Sequence, residues 1–359
     1  MATCGFRITD YVTGRGGEKG GELPGAPRKT TLTSISNPLK GLTTDCSECA
    51  EDASDRRRGD PCSSQNILTA VVAFVAAAAP DGAPPPGGAA PSLLPTAASS
   101  DAAAVRAAAA ITGCASESCL LRAPEFQQFV VKRRLVPGAR TLTRELELRF
   151  KARGPRDSLD LLSNYNLDET LQRWGRVFPT FFPCPFAMMD FDSNGDYFGE
   201  ASMPAILEGR VTADLGTERA RRPFNCFGCV VNTDTSSGPG KHWVAVFVDC
   251  RPEGAGPWTV EYFNSAGRPP PKPMVKWMER TAARLTEYRA NKHDSPAGAG
   301  VATVAVTDVD HQESQTECGL YALFYIRRRL EGAPYQMFVD QLIPDDAMTT
   351  FRRHVFRDS

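Results

Sequence analysis

The sequence predicts an α+β chain: a small mixed sheet flanked by helices, preceded by a low-complexity N-terminal region. Two observations carry the fold class. Short β-rich runs at 244–249 and Trp258–Phe263 lie close together, and a long amphipathic pattern at 273–290 and an apolar, helix-forming run at Cys318–Leu330 follow them. The low-complexity region is read from residues 80–110, which are mostly Ala, Pro, Gly and Ser.

In chain order, residues 1–65 are rich in Gly, Thr, Ser and charge, and are expected to be a weakly ordered N-terminal region. Residues 66–113 read as an Ala/Pro/Gly-rich linker with short helices, one alanine-rich at 67–79 and one at 102–111. Residues 114–359 regain core-forming side chains and are read as one domain that carries the chemistry. Within it, 142–150 largely alternates apolar and polar, which predicts a half-buried strand. Asn166, with Glu169 three residues on, reads as a capping box opening a helix through Leu171 and Trp174 that Pro179 stops. Short strands and turns run up to about 265. Val275, Met278, Ala282, Leu285 and Tyr288 then recur at helical spacing. Val301–Val306 reads as a strand. The Cys318–Leu330 helix is ended by Gly332 and Pro334. Two short C-terminal helices follow, the second opening at Pro344-Asp345-Asp346 and running to about 356.

Bulk properties narrow the class. The 359 residues carry a formal net charge of −1, so no global field points to nucleic acid or an anionic membrane. The first residues lack the apolar core of a secretory leader. The longest apolar run, 67–79, falls short of the roughly 20 residues that span a bilayer. A soluble intracellular protein is the reading, with oligomeric state left open. The eleven cysteines are scattered and odd in number, which reads as reduced thiols rather than a disulfide framework.

Several local patterns are weaker. Cys46, Cys49, Cys62, Cys114 and Cys119 invite a zinc reading, but no histidine is near and a linker divides them. No metal and no cofactor are expected. Cys226 and Cys229 read as core rather than a redox pair. The 192–196 run has its glycine misplaced for a calcium loop and reads as a turn. Arg327-Arg328-Arg329 and the 219–222 basic run read as solvated surface, with contact to an acidic substrate or nucleic acid as the alternative.

One constellation carries chemistry. Gln312 lies six residues before Cys318, which Gly319 follows. His242-Trp243 opens a strand, and Asn264-Ser265-Ala266-Gly267 ends another. A cysteine attacks a carbonyl as thiolate, which is scarce for a free thiol of pKa about 8.5. A helix start and a nearby histidinium would both favour that thiolate. His242 is the candidate base, Asn264 the group orienting it, and Gln312 with the Cys318 N–H the oxyanion donors. Trp243 is expected to pack over the site and contact substrate. Other readings stay open. Cys318 alone would read as a small buried hydrophobe, and His242 as a strand histidine. His311 competes as base, Gln315 competes with Gln312, and Asn264 could simply cap a strand. His293 and His354 lie in polar, exposed-looking surroundings.

At these residues the chain resembles the adenain and ubiquitin-like-protein protease superfamily of cysteine peptidases. It is more similar still to the maturation (SUMO-1-specific-like) proteases of large nucleocytoplasmic DNA viruses. The resemblance covers about 115–359. It includes Thr316-Glu317-Cys318-Gly319, the 162–168, 185–191 and 231–234 stretches, and Ile343-Pro344-Asp345-Asp346. It implies a papain-like, adenain-like fold and a Cys-His-Asn triad with a glutamine in the oxyanion hole. It also implies cleavage after small residues of Gly-Gly-X or Ala-Gly-X type. The implied partner is a protein substrate, a viral polyprotein or a ubiquitin-like tail, in the virion or host cytoplasm. SUMO deconjugation and an inactive binding module of the same fold are the alternatives. Cellular SUMO proteases carry Trp-Leu-x-Asp, whose Trp clamps a Gly-Gly tail. Here Leu161-Leu162-Ser163-Asn164 stands in its place.

Overall fold

The computed structural model describes residues 49–50, 60–78, 97–157, 159–194, 202–216, 218–251, 257–291 and 300–357. The expected weakly ordered stretch up to residue 48 and the Pro-rich 79–96 segment lie outside them. The described residues form two compact units, one within Ser47–Arg153 with Phe356–Ser359 and one within Gly154–Val355.

The first unit is helical: α1 (Gln65–Ala78), α2 (Ala97–Thr112), α3 (Glu117–Arg122), α4 (Pro124–Lys132) and α5 (Ala139–Arg149). A two-residue strand, β1 (Ala152–Arg153), pairs in parallel with β10 (Phe356–Arg357). Ile67, Val71 and Phe74 of α1 share one buried core with Ala108 of α2, Leu120, Phe126 and Leu142. Phe74 meets Phe126 edge to face at 5.4 Å. The segment read as a linker thus supplies two packed helices, and the expected boundary at 113/114 falls inside this unit. The strand expected at 142–150 is instead α5. Leu142 and Leu146 lie four residues apart on the buried side of α5 among strong helix formers, and only Phe150, the extended cap that bridges to Cys49, keeps a β conformation.

Four cysteines read as reduced are paired as disulfides, Cys49 with Cys62 and Cys114 with Cys119. Sequence separations of 13 and 5 residues bring their Cα atoms to 5.0 and 5.5 Å, within bonding reach. That pairing replaces the zinc arrangement considered for them.

The second unit holds the sheet. Its strands are β2 (Phe181–Pro183), β3 (Ala187–Met188), β6 (Cys226–Asn232), β7 (Trp243–Asp249), β8 (Trp258–Phe263) and β9 (Val301–Val306), in the order β2-β6-β7-β8-β9, with β3 also on β6. The sheet is mixed: β6–β7–β8 is antiparallel, and β2, β3 and β9 run parallel to their neighbours. A small hairpin, β4 (Ala213–Asp214) and β5 (Arg219–Ala220), stands apart. The helices are α6 (Asn164–Val177), α7 (Met203–Leu207), α8 (Lys272–Ala290), α9 (Cys318–Leu330), α10 (Met337–Asp340) and α11 (Asp345–Val355). α9 packs on β6 and β7, and α8 on β8 and β9. β6, β7 and β8 are buried almost throughout because both faces are covered.

Two local expectations change. α6 starts earlier than the Asn166–Glu169 reading: Ser163 is the cap, in a reciprocal box with Asn166. The 327–329 arginines are not solvated surface. Arg327 is buried over the rings of Trp174 and Phe178, and Arg329 is buried against Glu261 and Asp249. An α9 buried over most of its surface places its last turn among carboxylates and rings.

Candidate active site

Three segments build the site, and local pairing explains each position. β6 and β7 pair down to Asn232 opposite Trp243, and the Thr233 N–H donates to the His242 carbonyl at 2.8 Å. This delivers the half-buried His242 at the start of β7. β8 ends at Phe263, so Asn264 follows at the same edge of the sheet. The Gly267 N–H closes the turn onto the Asn264 carbonyl at 3.0 Å, with Gly267 at φ +62°, a conformation glycine adopts without strain. The third segment is stitched to that turn. The amides of His311 and Gln312 donate to the Ser265 carbonyl at 2.7 and 3.1 Å, and the Ser265 hydroxyl donates to Gln312 Oε1 at 2.8 Å.

His242 Nε2 and Asn264 Oδ1 are 2.8 Å apart. The same oxygen accepts the Ala266 amide N–H at 3.0 Å, and Asn264 Nδ2 donates to the Tyr262 hydroxyl at 3.0 Å. These two bonds identify Oδ1 as the acceptor. His242 therefore carries its proton on Nε2, and Nδ1 keeps a free lone pair. Burial lowers the His242 pKa, the Asn264 bond raises it, and the neighbouring Arg268 charge lowers it again, so the ring sits below its usual range.

Cys318 opens α9 and is 4% exposed. The backbone N–H of Trp243 favours its thiolate, as do the amides of Gly319 and Cys318 itself. The sulfur thus lies by the Trp243 amide at the start of β7, the strand that His242 directly precedes. Burial is the largest influence and Glu317 adds to it, so the thiol sits above its usual range, not below as the helix start alone implied. Desolvation outweighs the amide dipoles here.

Trp243 is fixed on two sides. Its Nε1 donates to the Leu162 carbonyl at 3.2 Å, and its ring meets Phe186 edge to face at 6.2 Å. Gly319 permits this closeness. A Cβ there would sit 3.2 Å from Leu162 Cβ and 3.3 Å from Trp243 Cδ1. Leu161, next to Leu162, is 62% exposed. Gln312 Nε2 donates to the Ser314 carbonyl at 2.9 Å, which leaves its second N–H for another acceptor.

The competing histidines sit elsewhere. His311 is buried, accepts the Ile343 N–H on Nδ1 at 3.1 Å and donates from Nε2 to the Phe338 carbonyl at 3.0 Å. Both ring nitrogens are used inside the core, and burial pushes its pKa down to about 4. His354, expected to be exposed, is buried and stacked on Phe351, because it lies on the inner side of α11. His293 lies outside the described residues. Gln315 is exposed. Sequence reasoning did not single out Ser265 or Tyr262 as supports. Ser265 lay in plain sight within the Asn-Ser-x-Gly run, whereas nothing in the letters marks Tyr262.

Residues 229–359 match the model of the Ulp1 protease family, C-terminal catalytic domain. The chain is 46% identical over 245 residues to a cysteine protease of African swine fever virus (isolate Tick/Malawi/Lil 20-1/1983), spanning 68% of this chain and 84% of that protein. It is 45% identical over 245 residues, with the same coverage, to the protein named SUMO-1 cysteine protease in the isolate Pig/Kenya/KEN-50/1950 of the same virus. The crystal structure of the protease of African swine fever virus superposes with a TM-score of 0.68 at 38% identity, covering 89% of this chain and 99% of that one. The chain belongs to the Ulp1 family of cysteine proteases.

Proposed function

We propose that the chain is an endopeptidase in which Cys318 is the nucleophile and His242 the general base. The single observation that carries this reading is the His242–Asn264 pair at 2.8 Å, which leaves Nδ1 deprotonated directly before the strand whose first amide meets the Cys318 sulfur. With the thiol above its usual range and the imidazole below, the resting pair is neutral. Sγ attacks the scissile carbonyl as its proton passes to His242 Nδ1. The resulting imidazolium is held by the Asn264 carbonyl oxygen. The developing oxyanion takes the free Gln312 N–H and the Cys318 backbone N–H. His242 then returns the proton to the leaving amine. The thioester is hydrolysed by a water that gives its proton to the same nitrogen.

Cleavage after small residues of Gly-Gly-X or Ala-Gly-X type is the specificity carried over from the resemblance, and Trp243, held by Leu162 and Phe186 beside Gly319, is the side chain placed to contact substrate. The similarity to the African swine fever virus proteases supports a viral polyprotein as substrate and the virion or host cytoplasm as the place of action. Deconjugation of a ubiquitin-like protein is the second reading, favoured by the name SUMO-1 cysteine protease on relatives such as that of the Kenyan isolate. Fluorogenic Gly-Gly-X peptides and a SUMO fusion, assayed side by side with the wild type and Cys318→Ser, test both. Peptide cleavage lost in the serine variant is expected. Cleavage of the fusion alone would transfer the assignment to deconjugation, and cleavage of neither would sink the reading.

A further inference from the structure

One buried charge has no part in the chemistry described above. Arg352, on α11, is 1% exposed. Its Nη1 donates to the carbonyls of Pro155 at 3.0 Å and Asp160 at 2.9 Å. Its Nη2 faces Glu317 Oε1 at 3.7 Å. Glu317 is itself buried and directly precedes Cys318; its Oε2 accepts the Thr316 hydroxyl at 2.7 Å and the Ser314 hydroxyl. One guanidinium therefore joins three pieces: the 155–160 segment, the turn that presents the nucleophile, and α11. A guanidinium withdrawn from water costs several kcal/mol unless its partners are in place. Nη1 alone serves both carbonyls, and Nη2 stands 3.7 Å from the carboxylate as an ion pair without a hydrogen bond; the planar guanidinium holds the two in a fixed geometry that a lysine ammonium lacks.

Both of its targets lead to the site. The 155–160 segment runs into Leu162, whose carbonyl holds Trp243 and whose side chain fills the space beside Gly319. Leu159 and Leu161, on the same stretch, are each 62% exposed. The Glu317 carboxylate lies close enough to Cys318 to oppose its ionisation. Among the described residues, Glu317 acts on the thiol, Tyr321 and Arg352 feel the Glu317 charge, Glu313 and Asp345 also act on Tyr321, Asp160 also acts on Arg352, and Arg268 acts on His242. Among them Arg352 is the cation paired with Glu317.

We propose that Arg352 is a positioning residue with two separable effects: its fork fixes the Pro155 and Asp160 carbonyls on the stretch that leads into Leu162 beside Trp243, and its charge offsets Glu317 beside the nucleophile. The proposal rests on Cys318 being the nucleophile, as read above. It makes Lys and Met replacements differ. Arg352→Lys keeps the charge and loses the fork. Arg352→Met loses both.

The experiment measures kcat and KM on a Gly-Gly-X peptide, and the pH midpoint of Cys318 alkylation, for Arg352→Lys, Arg352→Met and Arg353→Gln, with circular dichroism to establish folding. Arg353 is the neighbouring surface residue, paired with Asp157 at 2.9 Å, and its variant should stay within about twofold of wild type. Arg352→Lys should raise KM about tenfold and leave the alkylation midpoint in place. Arg352→Met should raise KM equally and move the midpoint to higher pH. If Arg352→Met does not fold, Glu317→Gln carries the charge half, and its midpoint should fall below that of wild type. Folded Arg352 variants with wild-type KM and midpoint, or a Glu317→Gln variant with an unmoved midpoint, would overturn the proposal. A wild type that neither cleaves nor labels at Cys318 would instead overturn the reading beneath it.

Discussion

Oδ1 of Asn264 accepts two hydrogen bonds, one from His242 Nε2 at 2.8 Å and one from the Ala266 amide at 3.0 Å. The second bond gives the first its meaning, since an amide N–H can only donate. The oxygen is thereby assigned, the imidazole tautomer follows, and the free lone pair is Nδ1. Replacing Asn264 by Ala removes the acceptor and lets the ring turn. A hydrogen bond to a group that becomes charged contributes about 1.5–3 kcal/mol. We therefore expect kcat to fall roughly 10- to 100-fold in Asn264→Ala, with Asn264→Asp much less affected. Steady-state kinetics decides it, and equal losses in the two variants would contradict the acceptor role.

The oxyanion assignment makes a second prediction. Gln312→Ala should lower kcat about 10²–10³-fold with little change in KM, the usual cost of one such donor. Ser265→Ala should have a smaller effect in the same direction. The Ser265 hydroxyl holds Gln312 Oε1 and so keeps the amide from flipping. A Gln312→Ala enzyme with wild-type kcat would remove Gln312 from the hole.

Gly319 tests the packing around Trp243. A Cβ 3.2–3.3 Å from Leu162 and Trp243 forces those side chains to move by tenths of an ångström. Overpacking costs about 1–3 kcal/mol, and gaining Ala in a helix returns up to about 1. Gly319→Ala should thus melt only slightly lower than wild type while its KM rises severalfold. A thermal melt with peptide kinetics checks both halves, and an unchanged KM would show that Trp243 is not set by this contact.

His311 predicts acid sensitivity of the fold. Its folded-state pKa is about 4 against a reference of 6.5. Between those values the unfolded chain binds a proton that the folded chain refuses. Stability is therefore whole above about pH 6.5 and declines as pH falls toward 4, by up to about 3 kcal/mol. Urea midpoints at pH 7.0, 5.5 and 4.5 should drop more steeply for the wild type than for His311→Asn. Parallel slopes would mean the ring titrates normally.

Much of this was legible in the letters, for stated reasons. The Cys318–Leu330 helix and the Val301–Val306 strand carry strong local patterns with clear stops, and both appear with those bounds. His242 and Asn264 could be paired because each sits at the end of a neighbouring strand. The misses share a cause. Leu142 and Leu146 satisfy both a strand and a helix period, and only tertiary packing chose between them. Arg327 and Arg329 look like surface charge until their partners, far along the chain, are known. The pairing of Cys49 with Cys62 needs Cα atoms 5.0 Å apart, which no spacing rule supplies. The direction of the Cys318 shift depended on burial, which a helix-start argument leaves out.

The most direct test is the rate of Cys318 alkylation against pH, in wild type and in His242→Ala, with modified sites mapped by mass spectrometry. Cys184 and Cys226 are buried, with thiols pushed up to about 12, and give a slow internal reference. Cys318 should label faster than both near neutral pH, and that advantage should be lost when the imidazole is removed. Equal rates for Cys318 and the reference thiols, or a His242→Ala profile that overlays the wild type, would contradict a nucleophile served by His242.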